Sequence, residues 1–121
     1  MMRVLVIDDF TGMRDVLIDI LREHSDVDVV GAGGNGQDAV ELAESRRPDV
    51  IVMDITMPRC SGVEATRIIT QRFPDMRVIG VTALDDDASE AAMRDAGACG
   101  FLLKEQAPDR LYSLVHAAHY R

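Results

Sequence analysis

The sequence predicts a parallel α/β sandwich, one sheet of five strands covered by helices on both faces. Apolar runs alternate five times with amphipathic stretches, the signature of repeated strand–helix units. The runs are rich in Val, Ile and Leu along their length, as strands buried on both faces must be. Connections are short, and 121 residues make one domain that buries roughly two-thirds of its unfolded surface.

The first strand, about 3–7, runs into Asp8-Asp9. The helix at about 11–24 repeats Met13, Val16, Leu17, Ile20 and Leu21 at helical spacing, with Arg14, Asp15, Asp19 and Arg22 facing out. A second strand, about 27–31, leads through a glycine-rich connection to a helix at about 36–46. That helix buries Ala39, Val40 and Ala43 and stops before Pro48, which disfavours helical geometry in the residue ahead of it. The third strand, about 49–53, ends at Asp54, and its helix, about 62–73, carries Ala65, Ile68 and Ile69 and ends before Pro74. The fourth strand, about 76–81, ends at Thr82. Its helix, about 87–96, is Ala-rich, with Met93 as the bulky member and Gly97 as C-cap. The last strand, about 99–103, ends at Lys104, and a helix at about 108–119 buries Leu111, Leu114, Val115 and Ala118.

The formal net charge of −8 works against nucleic acid and anionic membrane as direct partners. No run approaches the roughly 18 apolar residues of a membrane span, and Asp8-Asp9 interrupt the early apolar stretch, so a cytoplasmic location is expected. Cys60 and Cys99 make neither metal spacing nor a disulfide framework; both are expected to be reduced, Cys99 buried and Cys60 in a loop.

Function is concentrated at the strand ends. In a parallel sheet, Asp8, Asp9, Asp54, Thr82 and Lys104 all fall at the carboxyl edge, where open α/β folds bind ligands. The strand order 2-1-3-4-5 sets these ends side by side and is expected on that functional ground. Carboxylates about 4 Å apart repel by roughly 4 kcal/mol at an effective dielectric near 20, so the cluster needs a cation or a proton. An oxygen-only ligand set on a rigid edge suits Mg²⁺. Lys104 is the sole lysine among thirteen basic residues, a compact point charge suited to a carboxylate or phosphoryl oxygen. Thr82 adds a short hydroxyl beside Ala83, while Met57-Pro58 and Gly62 shape the loop after Asp54.

Taken in order, Asp8-Asp9, Asp54 with Met57-Pro58 and Gly62, Thr82-Ala83 and Lys104 resemble the receiver domain of two-component response regulators over essentially the whole chain. Asp26 to Gly31, Arg47-Pro48-Asp49-Val50, Met53-Asp54-Ile55, Glu64-Ala65-Thr66 and Lys104-Glu105 resemble the NarL/LuxR-type branch. The resemblance implies a flavodoxin-like (βα)5 three-layer sandwich, residues 1–121 forming one receiver domain, with any C-terminal helix-turn-helix DNA-binding domain absent from the chain.

It also implies roles. Asp54 is the phosphoacceptor, taking a phosphoryl group from a sensor histidine kinase. Asp9, Asp54 and the backbone carbonyl of Thr56 hold Mg²⁺ (or Mn²⁺), with Asp8 acting through a water. Lys104 and Thr82 bond phosphoryl oxygens. Thr82 and Phe101 form the switch, which reshapes the fourth helix, fifth strand and fifth helix; Phe101 can pack inward but cannot hydrogen-bond as Tyr could. Thr56 and Leu84 tune the lifetime of the phosphorylated form, and an apolar Leu84 predicts a long one. The domain is not an enzyme with an external substrate, although it promotes its own Mg²⁺-dependent phosphorylation and dephosphorylation. Kinase docking is expected around Met13, Arg14 and Leu17, which also read as ordinary core and solvated face. A homodimer on phosphorylation and a covalently linked DNA-binding effector domain are the other expected partners. The alternative is a free-standing receiver acting through protein contacts.

Two different chemistries fit parts of the chain. Gly31-Ala32-Gly33-Gly34-Asn35-Gly36 matches a dinucleotide fingerprint but leaves Asp8, Asp9, Thr82 and Lys104 without a task. Those glycines read better as a permissive strand-to-helix turn. A phosphatase or phosphomutase of the aspartyl-phosphate type would need a second acid where Thr56 stands.

Overall fold

The computed structural model describes residues 1–57, 60–83 and 86–120. Its strands are β1 (Met2–Ile7), β2 (Val27–Gly33), β3 (Val50–Asp54), β4 (Arg77–Thr82) and β5 (Gly100–Leu103). Its helices are α1 (Thr11–Arg22), α2 (Gly36–Arg46), α3 (Gly62–Arg72), α4 (Asp87–Asp95) and α5 (Ala107–His119), with one 3-10 turn at Lys104–Gln106. The strands form a single parallel sheet in the order β2-β1-β3-β4-β5, the order expected from the sequence.

Alternation along the strands divides the core in two. Met2, Val4, Val6, Val50, Val52, Ile79, Val81 and Leu102 pack against Leu17 and Leu21 of α1 and Leu111, Val115 and Ala118 of α5. On the other face Leu5, Ile7, Ile51, Met53 and Val78 meet Ala39 and Ala43 of α2, Ala65 and Ile69 of α3 and Met93 of α4. The small alanines let α2 lie close to the sheet.

Local chemistry explains the helix ends. Asn35, Ser61 and Asp86 accept backbone N–H bonds from Asp38, Glu64 and Ala88 and so cap α2, α3 and α4. Acids stand in the first turns of these helices and Arg22, Arg46, Arg72 and Arg94 in the last turns of α1 to α4, matching the helix dipole at both ends.

Several details depart from the sequence reading. β2 runs on to Gly33, because its register with β1 shifts between Val4 and Leu5 and then continues to Ile7↔Gly33. The guanidinium of Arg46 donates to the carbonyl of Val30 at the shift, 2.8 Å away. Glycine is a poor strand former, so the extension is invisible to propensity; packing against Leu42 and Ile7 decides it. Val16 is 45% exposed rather than core, since Leu17 and Leu21 already fill the space under α1. Arg14 does not face out: half-buried, its Nη1 donates to the carbonyl of Asp8 at 3.1 Å. Cys99 is half-buried, and among the described residues neither Cys60 nor Cys99 forms a disulfide.

Gly97 ends α4 with a φ of 114°, a conformation L side chains avoid. A Cβ there would also sit 2.6 Å from Thr70 Oγ1. Gly97→Ala should therefore lower unfolding free energy by about 1–3 kcal/mol in urea titrations, and an unchanged midpoint would contradict this account of the turn.

Candidate functional site

The register levels the strand ends. Ile7 pairs with Met53, Asp54 with Val81 and Thr82 with Leu103, so Asp8, Asp54, Thr82 and Lys104 emerge in neighbouring positions along one edge. Asp54 closes β3 at 4% exposure, Asp8 follows β1 fully buried, and Thr82 closes β4 buried. Lys104 opens the 3-10 turn, where Leu103 N–H donates to Gln106 Oε1 at 3.0 Å and holds the end of β5.

Lys104 Nζ lies 2.8 Å from Asp8 Oδ2 and 3.5 Å from Asp54 Oδ1. One carboxylate oxygen from each of Asp8, Asp9 and Asp54 falls within 4.8 Å of the others. A cleft of about 220 Å³ opens over them, lined by Asp9, Asp54, Thr56, Thr82, Ala83 and Lys104. Asp8 lies behind this lining. Its Oδ1 accepts from the backbone N–H of Phe10 at 2.9 Å, pinning the turn that carries Asp9 into α1.

Electrostatics shows what the pocket lacks. Burial first, and then the charge of Asp8, push the Asp54 carboxyl up to about 7, with the opposing pull of Lys104 too small to restore it. Burial lowers the Lys104 ammonium, but its bond to Asp8 and the charge of Asp54 outweigh that, and its pKa ends above the usual value. Among the described residues Asp8 Oδ2 has no partner in hydrogen-bonding geometry, and the ion pair with Lys104 is what offsets its burial. Among the described residues three carboxylates face one ammonium, which leaves the cluster short of positive charge, and its donors are all oxygen. This set fits a hard divalent cation. Asp54, buried but lining the cleft beside an ammonium and a hydroxyl-bearing residue, has surroundings that suit an attacking carboxylate.

The other expected site residues are less concentrated. Thr56 lines the cleft and is exposed, while Pro58 and Leu84 lie outside the described residues. Phe101 does not line the cleft; it is half-buried on the other side of β5, where a Cβ at Gly80 would be 3.1 Å from its ring. Gly62 is glycine for space: a Cβ would lie 2.0 Å from the Asp54 carbonyl, and its N–H donates to the Ile55 carbonyl at 2.8 Å. On α1, Leu17 is core, and Met13 packs partly buried against that same cluster. Sequence reasoning missed Arg14 as a support of Asp8, because a lone arginine at a solvent-facing helical position carries no distinguishing signal. It also missed Phe10, which stands 67% exposed beside Asp9.

The Asp54 shift has a sign that can be tested without metal. Its folded pKa lies above the unfolded value of 3.8, so in EDTA its ionisation costs nothing below about pH 4, a growing amount as pH rises towards 7, and the full amount above. Asp54→Asn should therefore stabilise the metal-free protein more at pH 8 than at pH 5 in thermal melts. An equal or opposite difference would refute the shift.

Comparison with known proteins agrees with this geometry. Residues 4–116 match the family model described as the response regulator receiver domain. The chain is 42% identical over 113 residues to the transcriptional regulatory protein DegU of Brevibacillus brevis, covering 93% of this chain and 48% of the relative. It therefore spans about half the length of that relative. Among solved structures it is similar to the response regulator domain of Thermotoga maritima CheB, with a TM-score of 0.92, 36% identity and coverage of 99% and 97%. It is also similar to a LuxR-family two-component response regulator from Aurantimonas sp. SI85-9A1, with a TM-score of 0.93, 28% identity and coverage of 98% and 85%. With the acidic edge, the five-stranded order and these matches in place, the chain belongs to the response regulator receiver domain family, in its NarL/LuxR-type branch.

Proposed function

We propose that Asp54 accepts a phosphoryl group from the phosphohistidine of a sensor kinase and that this charge drives a conformational switch. The observation that carries the reading is the Lys104 ammonium set between the buried carboxylates of Asp8 and Asp54 at the floor of an open cleft. An Asp54 carboxylate oxygen forms the new P–O bond as the P–N bond to the kinase histidine breaks, and the electron pair stays on the imidazole nitrogen. Asp9, Asp54 and the Thr56 carbonyl would hold Mg²⁺ (or Mn²⁺), with Asp8 reaching it through a water. Bound there, the cation offsets charge on the transferring oxygens, the main contribution available in phosphoryl transfer. Lys104 is already within reach of Asp54 and needs only to exchange a carboxylate contact for a phosphoryl oxygen.

The phosphoryl group adds about −1.5 to −2 charge and three acceptors. The Thr82 hydroxyl moves to bond it, and Phe101 follows into the space vacated. Phe101 can do so only by packing. Gly80 beside it offers no side chain in the way. The surface altered is α4, β5 and α5. Thr56 and Leu84 tune the lifetime of the phosphorylated form: an apolar residue at position 84 supplies no group to orient a hydrolytic water, so the domain's self-promoted dephosphorylation is slow. Residues 1–121 act as one receiver unit. The relatives are about twice as long, which supports a linked DNA-binding effector domain as its output; a homodimer formed on phosphorylation is a second proposed output.

Incubation with acetyl phosphate and Mg²⁺ should add one phosphoryl group by intact mass to the wild type and none to Asp54→Ala; a label mapped to another residue would overturn the assignment. Lys104→Ala should slow labelling by about tenfold or more, as loss of an oxyanion-stabilising group does. Leu84→Glu should hasten loss of the label, and an unchanged half-life would remove Leu84 from the account.

A further inference from the structure

The glycine-rich connection Gly33-Gly34-Asn35-Gly36 touches both loops of the acidic pocket. On one side, the carbonyl of Gly33 accepts from the N–H of Asp8 at 3.0 Å. A Cβ at Gly34 would lie 3.2 Å from Arg14 Nη1, the group that holds the Asp8 carbonyl. Asn35 Oδ1 accepts from Asp38 N–H at 2.8 Å and Asp38 Oδ2 accepts from Gly34 N–H at 3.2 Å, so the connection is locked reciprocally onto α2. On the other side, Gly36 is buried and its N–H donates to the carbonyl of Cys60 at 2.9 Å.

None of these glycines has a positive φ; among the described glycines only Gly97 does. The expectation of a permissive turn is therefore corrected. What Gly36 supplies is space: a Cβ would stand 2.2 Å from the Cys60 carbonyl oxygen and 2.7 Å from its carbon, both backbone atoms that cannot swing aside. Cys60 lies in the loop between β3 and α3 that contains Thr56. Gly62 closes the base of that loop onto Ile55, and Gly36 ties its far limb to α2.

We infer that Gly36 is a positioning residue for the cation, fixing through Cys60 the loop that presents the Thr56 carbonyl. The inference rests on the proposed Mg²⁺ reading and extends it to a residue outside the pocket. Mg²⁺ demands near-ideal octahedral geometry and tolerates little displacement of a ligand. A side chain at position 36 must displace the Cys60 backbone by on the order of 1 Å, a shift of the size that weakens a site assembled for a fixed geometry. Linkage then requires the reverse effect, that bound cation strengthens the Gly36–Cys60 hydrogen bond.

The test compares Gly36→Ala with Gly31→Ala, a change in the same motif where a Cβ would come nearest to side chains alone, Leu5 at 3.2 Å, Leu42 at 3.7 Å and Arg46 at 3.8 Å. Mg²⁺ titration calorimetry and the Mg²⁺ dependence of acetyl phosphate labelling are the readouts. Gly36→Ala should raise the Mg²⁺ requirement about tenfold, with labelling at saturating Mg²⁺ within about twofold of wild type. Gly31→Ala should leave the requirement unchanged whatever its melting temperature. Equal requirements in the two variants would overturn the inference. In wild type, hydrogen exchange at the Gly36 amide should slow on adding Mg²⁺, a measurement that needs no variant to fold; no slowing would overturn it too. If wild type gives no heat with Mg²⁺, the reading of the pocket itself fails and this inference with it. If wild type binds while Gly36 is indifferent, the pocket stands and the positioning role alone falls.

Discussion

One ammonium stands between two buried carboxylates, and the domain's chemistry is organised around that imbalance. Lys104 reaches Asp8 at 2.8 Å and Asp54 at 3.5 Å. It cannot neutralise both together with Asp9, so Asp54 remains reluctant to ionise. A pocket in this condition gains from a divalent cation and, once loaded, from a group that engages the lysine from the cleft side. Burial magnifies the imbalance, since Asp8 has no exposed surface through which bulk solvent could screen its charge.

The scaffold makes the imbalance affordable by rigidity. Parallel pairing places Asp54 level with Val81 and Thr82 level with Leu103, so groups far apart in sequence are set by backbone hydrogen bonds rather than by flexible side chains. The helices reinforce the polarity. In a parallel sheet with these crossovers, the helix N-termini of α2, α3 and α4 open near the acidic edge, and their C-terminal arginines collect at the opposite edge. The protein's net charge of −8 is thus accompanied by a directional arrangement that charge counting alone does not reveal.

Close approach of backbones is the second organising feature. Gly36 against Cys60 and Gly62 against Asp54 are contacts that any side chain would break. The loop after Asp54 is therefore anchored from α2 as well as from its own base. Away from the pocket, α5 is fastened to the end of α1 in a comparable way. Tyr112 donates to Asp26 Oδ2 at 2.6 Å and stacks on His24 with ring centroids 3.6 Å apart.

Much of this was legible in the order of residues. Apolar runs ending in Asp, Thr or Lys are local signals, and each places a functional group at a strand terminus whatever the rest of the chain does. Pro48 and Pro74 bound the helices ahead of them through local sterics alone. Other features needed the assembled molecule. The length of β2 depends on what packs over Gly31 and Gly33, the inward turn of Arg14 depends on a carbonyl six residues away becoming reachable, and Val16 is exposed because neighbours on its own helix already fill the core. Side-chain type and spacing determined which groups meet at the sheet edge. Only the tertiary structure decided which glycines are required for space rather than for backbone freedom, because that depends on how near another segment of the chain comes.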